Sequence, residues 1–122
     1  MAAEDTKFKQ SLPSDTQKLK IEDIKTGEGP EVTGGDFITI HYHGTLEDGT
    51  VFDSSVERGS PFKTRIGVGE VIEGWDMGVP GMKVGGKRKL TIPAKLAYGD
   101  RAVGSIPAGS TLIFEVELVS VD

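Results

Sequence analysis

VIEGWDMGVPGM, residues 71–82, holds the only tryptophan of this 122-residue chain. Val71, Ile72, Trp75, Val79 and Met82 recur at three- and four-residue spacings, which is a helical stripe. The same stretch is poorly suited to a free-standing helix. Gly74 and Gly78 each cost roughly 1 kcal/mol against alanine, and Pro80 stops the helix early. So short a helix does not persist alone in water. The stretch therefore predicts one short helix held by burial, its large indole turned toward whatever it covers.

What it covers is read from the flanking sequence. FITIHYHGTL, residues 37–46, sets Ile38, Ile40 and Tyr42 against Thr39, His41 and His43, a β-branched pattern of period two. TLIFEVELVSV, 111–121, sets Leu112, Phe114, Val116 and Leu118 against Ile113, Glu115, Glu117 and Val119. Asp48-Gly49 marks a hairpin, with Val51-Phe52 starting the return strand. Further strands are predicted around Leu19, Ile21 and Ile24, over Phe62–Ile66, and over Lys87–Ile92 up to Pro93. A Gly-, Ala- and Pro-rich loop covers 94–110. The predicted class is α+β: a five- to six-stranded antiparallel sheet around one short α-helix. Residues 1–17 are polar and read as a flexible tail, 18–122 as one domain.

Composition narrows the function. Nineteen acidic residues against 14 basic ones give a net charge of −5, which disfavours nucleic acid and anionic membrane as partners. No apolar run reaches the 18 or so residues of a membrane span. There is no cysteine, so thiol nucleophiles and zinc–thiolate sites are excluded. The N-terminus has neither a secretory nor a transit pattern, so a cytoplasmic protein is expected, the nucleus being a further compartment it could reach.

Several motifs fail on inspection. Gly81 to Lys87 spells G-x-x-x-x-G-K, but Arg88 stands where a magnesium-binding hydroxyl belongs, and the element order is reversed. GVGEVI, 67–72, has Ile72 in place of the third glycine of a dinucleotide fingerprint. His41 and His43 share a strand face without an evident third ligand, so a hydrogen-bonded pair is expected and no metal. The charges of Lys87-Arg88-Lys89 split between faces and read as solvated. What remains is a surplus of apolar rings near element ends: Tyr42, Phe52, Phe62, Trp75 and Tyr98. Rings gathered there can form a rimmed pocket, although a core role is the simplest reading of a lone tryptophan.

HYHGTLEDGTVFDSS, GVGEVIEGWDMGVPGMKVGGKRKLTIP, LAYG and IPAGSTLIFEVEL, in that order, closely resemble the FKBP family. These are immunophilin peptidyl-prolyl cis–trans isomerases that bind the macrolides tacrolimus and rapamycin. The resemblance spans about residues 19–121 and implies an antiparallel sheet wrapped around one short helix. It implies a pocket lined by Tyr42, Phe52, Asp53, Phe62, Val71, Ile72, Trp75, Tyr98, Ile106 and Phe114. Trp75 is expected as its open floor, beneath the proline ring of a substrate. Tyr98 would donate its hydroxyl, and Ile72 its backbone N–H, to ligand carbonyls. The Glu70 main-chain carbonyl would contact macrolides, while Tyr42 and Arg58 would orient an ionised Asp53. Asp53, Tyr98, Trp75 and Phe52 are the expected catalytic set.

The resemblance implies no cofactor, a monomer, proline-containing peptides and proteins as substrates, and recruitment of calcineurin or TOR kinase by macrolide complexes. A non-catalytic module that binds a proline segment of a partner is the alternative the same residues allow. The chain departs from the family pattern in DRAVGSIPAGS, 100–110, which is slightly shorter and carries Ser105 and Ala108 at customary apolar or proline positions. Glu73 adds a charge near the expected rim. In the tail, Leu12-Pro13 is a dipeptide such a pocket would accept from a neighbouring molecule.

Overall fold

Two segments that alternate at period two over ten residues each can bury one face apiece only by pairing. In the computed structural model, which describes residues 18–122, they do so. Phe37–Leu46 and Leu112–Val121 run antiparallel, with Ile38 opposite Val121, Tyr42 opposite Val116 and Leu46 opposite Leu112. The Leu12-Pro13 segment lies outside the described residues. In chain order the strands are β1 Lys20–Lys25, β2 Phe37–Leu46, β3 Val51–Ser54, β4 Phe62–Arg65, β5 Lys87–Ile92 and β6 Leu112–Val121. They form one sheet in the order β1-β5-β6-β2-β3, with β4 also paired to β2, every pairing antiparallel. The inward residues Ile38, Ile40, Leu90, Ile92, Leu112 and Leu118 are fully buried.

β3 and β4 share one edge of β2. Ser54 of β3 sits opposite His43, and Phe62 of β4 opposite Ile40. A single helical turn, α1 (Ser55–Arg58), bridges the gap, capped by the Ser54 hydroxyl at its start and by left-handed Gly59 at its end. The gap would leave the backbone of Tyr42 without a strand partner on that side. Ser55 fills it: its buried hydroxyl accepts the Tyr42 N–H at 2.7 Å and lies 3.2 Å from the Tyr42 carbonyl. One side-chain oxygen thus takes the place of a missing strand. On the outer face, His41 and His43 bond serines and not each other, with Nδ1 at 2.9 Å from Ser55 Oγ and 3.0 Å from Ser54 Oγ.

The central helix, α2, is Glu73–Gly78. Its two glycines lie where it crosses β5. A Cβ built on Gly74 would stand 2.5 Å from Ile92 Cγ2, and one on Gly78 2.8 Å from Leu90 Cδ2. Side chains at these two positions would hold the helix off the sheet. Close approach in turn buries Trp75, which is 4% exposed. Removing roughly 200 Å² of indole from water is worth about 5 kcal/mol as an upper estimate. Two helical glycines cost about 2 kcal/mol. Burial wins, so a helix with poor intrinsic propensity persists.

Arg88 departs from the solvated reading of its segment. Its side chain is 11% exposed and folds under the end of α2. Nη1 donates to the Gly78 carbonyl at 2.8 Å and the Pro80 carbonyl at 3.2 Å, while Nε donates to Asp23 at 2.7 Å. The last carbonyls of a helix lack internal partners and favour a cation, a requirement that strand alternation does not reveal. β1 differs in another way: all six of its residues are exposed, Ile21 and Ile24 included, because it forms the end of the sheet.

Candidate active site

Four of the strands, the helix α2 and two connecting segments deliver residues to one concavity. β2 supplies Tyr42, β3 Phe52 and Asp53, β4 Phe62, and β6 Phe114. The turn before α2 supplies Glu70, Val71 and Ile72, α2 supplies Trp75, and the segment after the 3-10 turn Ala94–Leu96 supplies Ala97 and Tyr98. Together they line a cavity of about 410 Å³. Rings from four strands and the helix meet edge to face. The Trp75 centroid lies 5.3 Å from those of Tyr42 and Phe114 and 6.2 Å from that of Phe62. Phe52 stands 5.4 Å from Phe114. Such contacts add about 0.5–1.5 kcal/mol per pair beyond area burial, so the walls hold one another in place.

Trp75 is more enclosed than an open platform. It borders the cavity, yet only 4% of it is exposed, and its indole N–H has no hydrogen-bond partner among the described residues. Of the residues named from the sequence, Tyr42, Phe52, Asp53, Phe62, Glu70, Val71, Ile72, Trp75, Tyr98 and Phe114 all border the cavity. Ile106 does not. It closes a two-residue hairpin with Val103, exchanging backbone hydrogen bonds of 2.8 and 2.9 Å, and is buried in the core. Ala97 is a lining residue without a signal in the sequence, since a small apolar residue in a loop looks like any other.

The polar side of the cavity is a triad. Tyr42 donates its hydroxyl to Asp53 Oδ2 at 2.7 Å. Arg58, from the end of α1, donates through Nη1 to Asp53 Oδ1 and through Nη2 to the Tyr42 oxygen at 3.1 Å. Burial alone would raise the Asp53 pKa, but the hydrogen bonds from Tyr42 and Arg58, with the guanidinium charge, outweigh it and hold the carboxyl below its ordinary value. Burial raises the Tyr42 hydroxyl; Asp53 adds to the rise and Arg58 opposes it. The Arg58–Asp53 pair is half-exposed, so it serves orientation more than stability.

Two other polar groups stand without partners among the described residues: the Tyr98 hydroxyl and the Ile72 backbone N–H at the start of α2. A cavity with aromatic walls, one fixed carboxylate and two free donors fits a ligand that is mostly apolar and presents carbonyl oxygens. Among the described residues no group of three or more His, Asp or Glu is placed to hold a metal ion.

Residues 29–119 match the family of FKBP-type peptidyl-prolyl cis-trans isomerases. The chain belongs to the FKBP family. It is 56% identical over 106 residues to FK506-binding protein 1 of Saccharomyces cerevisiae, covering 85% of this chain and 93% of the yeast protein. It is 57% identical over 104 residues to the FK506-binding protein of Neisseria meningitidis, covering 84% and 95%. Among solved structures, AtFKBP13 superposes with a TM-score of 0.80 at 48% identity, over 85% of this chain and 93% of that one. FkpA from Escherichia coli gives the same TM-score at 41% identity, over 92% and 51%. With the family comes the activity: the chain is a peptidyl-prolyl cis–trans isomerase, and the predicted α+β sheet around a short helix is its fold.

Proposed function

We propose that the isomerase seats the pyrrolidine ring of an X-Pro segment against Trp75, between Tyr42, Phe62 and Phe114, and that tacrolimus and rapamycin occupy the same cavity. The Tyr98 hydroxyl and the Ile72 N–H take ligand carbonyls, and the Glu70 carbonyl faces a macrolide. The observation that carries this reading is the aromatic-walled cavity whose lining residues Tyr98 and Ile72 each keep a donor unpartnered among the described residues. Calcineurin or TOR kinase then meets the composite surface of protein and macrolide. The loop 100–110 is where that surface departs most from the family pattern.

The chemistry follows from the bond being turned. Amide resonance opposes rotation with a barrier of ~18–20 kcal/mol and separates charge between oxygen and nitrogen. A site with few polar groups stabilises that separation less than water does, while the twisted amide has less of it to lose. Each ~1.4 kcal/mol of preference for the twisted form multiplies the rate about tenfold. No nucleophile is needed. Asp53 positions the substrate and transfers no proton.

A coupled assay on a Leu-Pro peptide tests the reading: catalysis is expected, and rapamycin is expected to abolish it. Rapamycin binding without catalysis would leave only a binding module.

The pH profile tests the role of Asp53. A carboxyl lowered in the folded state favours folding above the unfolded value of about 3.9, and that contribution is lost as pH falls through the folded value. Tyr42, raised from 10.0, stays protonated through neutrality. Turnover is therefore expected to vary less than about twofold from about pH 5.5 to about 8.5. A steep profile that disappears in Asp53→Asn would show proton transfer instead.

A further inference from the structure

The segment between β4 and α2 carries both backbone groups assigned to the ligand, the Glu70 carbonyl and the Ile72 N–H. Such a segment, rich in glycine and exposed over 67–70, would be expected to wander. It is tied down by carboxylates. Gly67 and Gly69 both adopt left-handed backbone, φ 85° and 84°, which glycine tolerates and which turns their amides to one side. There they meet Asp76, from the first turn of α2. Oδ1 accepts the Gly67 N–H at 2.7 Å and Oδ2 accepts the Gly69 N–H at 2.9 Å.

Glu70 forms the second tie. Its Oε1 lies 3.2 Å from both the Thr64 hydroxyl and the Arg65 N–H of β4. Asp76 itself does not line the cavity.

We infer that Asp76 is a positioning residue for substrate and macrolide binding. Its carboxylate locks the 67–70 loop to the helix that bears Trp75, so the loop's backbone groups and the indole keep a fixed relation across the cavity. This rests on the binding mode proposed above. Groups that contact a bound ligand in both ground and transition states govern affinity more than turnover. In Asp76→Ala, KM for a Leu-Pro peptide and the rapamycin Kd are expected to rise about tenfold, the size of one lost charge-assisted hydrogen bond. The turnover number is expected to stay within about twofold. Asp76→Glu keeps two acceptor oxygens and is expected to recover most of the loss.

The amide proton resonances of Gly67 and Gly69 are expected to move upfield in Asp76→Ala and to return in Asp76→Glu. The Ile72 amide is expected to broaden in the alanine variant alone. A purely structural role would lower the turnover number or the melting temperature without raising KM. A folded Asp76→Ala with unchanged KM and rapamycin Kd overturns the inference. Should Asp76→Ala not fold, the isosteric Asp76→Asn, which retains one acceptor, is expected to show about a threefold rise in KM, and no rise overturns the inference equally. A wild-type protein that neither turns over the peptide nor binds rapamycin would sink the binding mode itself. The glycine and Ile72 resonances would then still report whether Asp76 orders the loop.

Discussion

Trp75→Ala is expected to lower stability by about 3–5 kcal/mol and to remove most of the isomerase activity. The reasons lie in how little else holds the site. The indole is almost fully buried, touches three of the cavity's rings, and sits on a helix of six residues with two glycines. Against a typical total of about 5–15 kcal/mol, the loss approaches global unfolding. Urea titration followed by far-ultraviolet circular dichroism measures it, since tryptophan fluorescence vanishes with the residue.

Trp75→Phe separates the packing contribution from the polar one. A buried N–H without a partner costs about 1–3 kcal/mol, and phenylalanine removes it while keeping a ring. This variant is expected to fall within about 1 kcal/mol of the wild type. A Trp75→Phe protein as unstable as Trp75→Ala would mean that the indole N–H is well satisfied in solution.

Gly74→Ala tests the packing of α2 by the sign of its effect. Helix propensity alone promises a gain of about 1 kcal/mol. Contact with the sheet demands the opposite. The new methyl would lie 2.5 Å from Ile92 Cγ2 and 2.8 Å from Cδ1, and Ile92 is fully buried with nowhere to retreat. Overpacking of this kind costs about 1–3 kcal/mol. A net destabilisation of about 2 kcal/mol in denaturant titration is expected, with a loss of catalysis as the helix lifts and carries Trp75 with it. A stabilised variant would show that α2 does not press on β5.

How much of this was readable in the chain depends on the range of each interaction. Alternation over 37–46 and 112–121 is local, and it placed these two strands and their inward residues, though not their pairing. The glycine-flanked tryptophan located the helix, because an unfavourable local choice implies a tertiary reason. Convergence of Tyr42, Phe52, Trp75 and Tyr98 was not readable from spacing: they come from four separate elements, and only resemblance to a family linked them. The supports stayed hidden for a related reason. Ser55 acts through a single turn too short to show periodicity. Arg88 sits in an alternating strand yet bends under a helix end. Asp76 looks like an ordinary solvated helical acid until the loop it holds is seen. Ile106 fits the family motif, yet it sits in a hairpin with Val103 and is not among the residues that line the cavity.

Among the described residues β1 pairs with β5 alone and closes one side of the sheet. Its outer backbone groups would invite an incoming chain, but Lys20, Glu22, Asp23 and Lys25 crowd that border with both signs of charge, and a bulge between Asp23 and Lys25 breaks its regularity. An extended, proline-containing segment that reaches an isomerase is itself a chain able to add to an open sheet edge. The guarded border leaves the cavity as the place where such a segment is held.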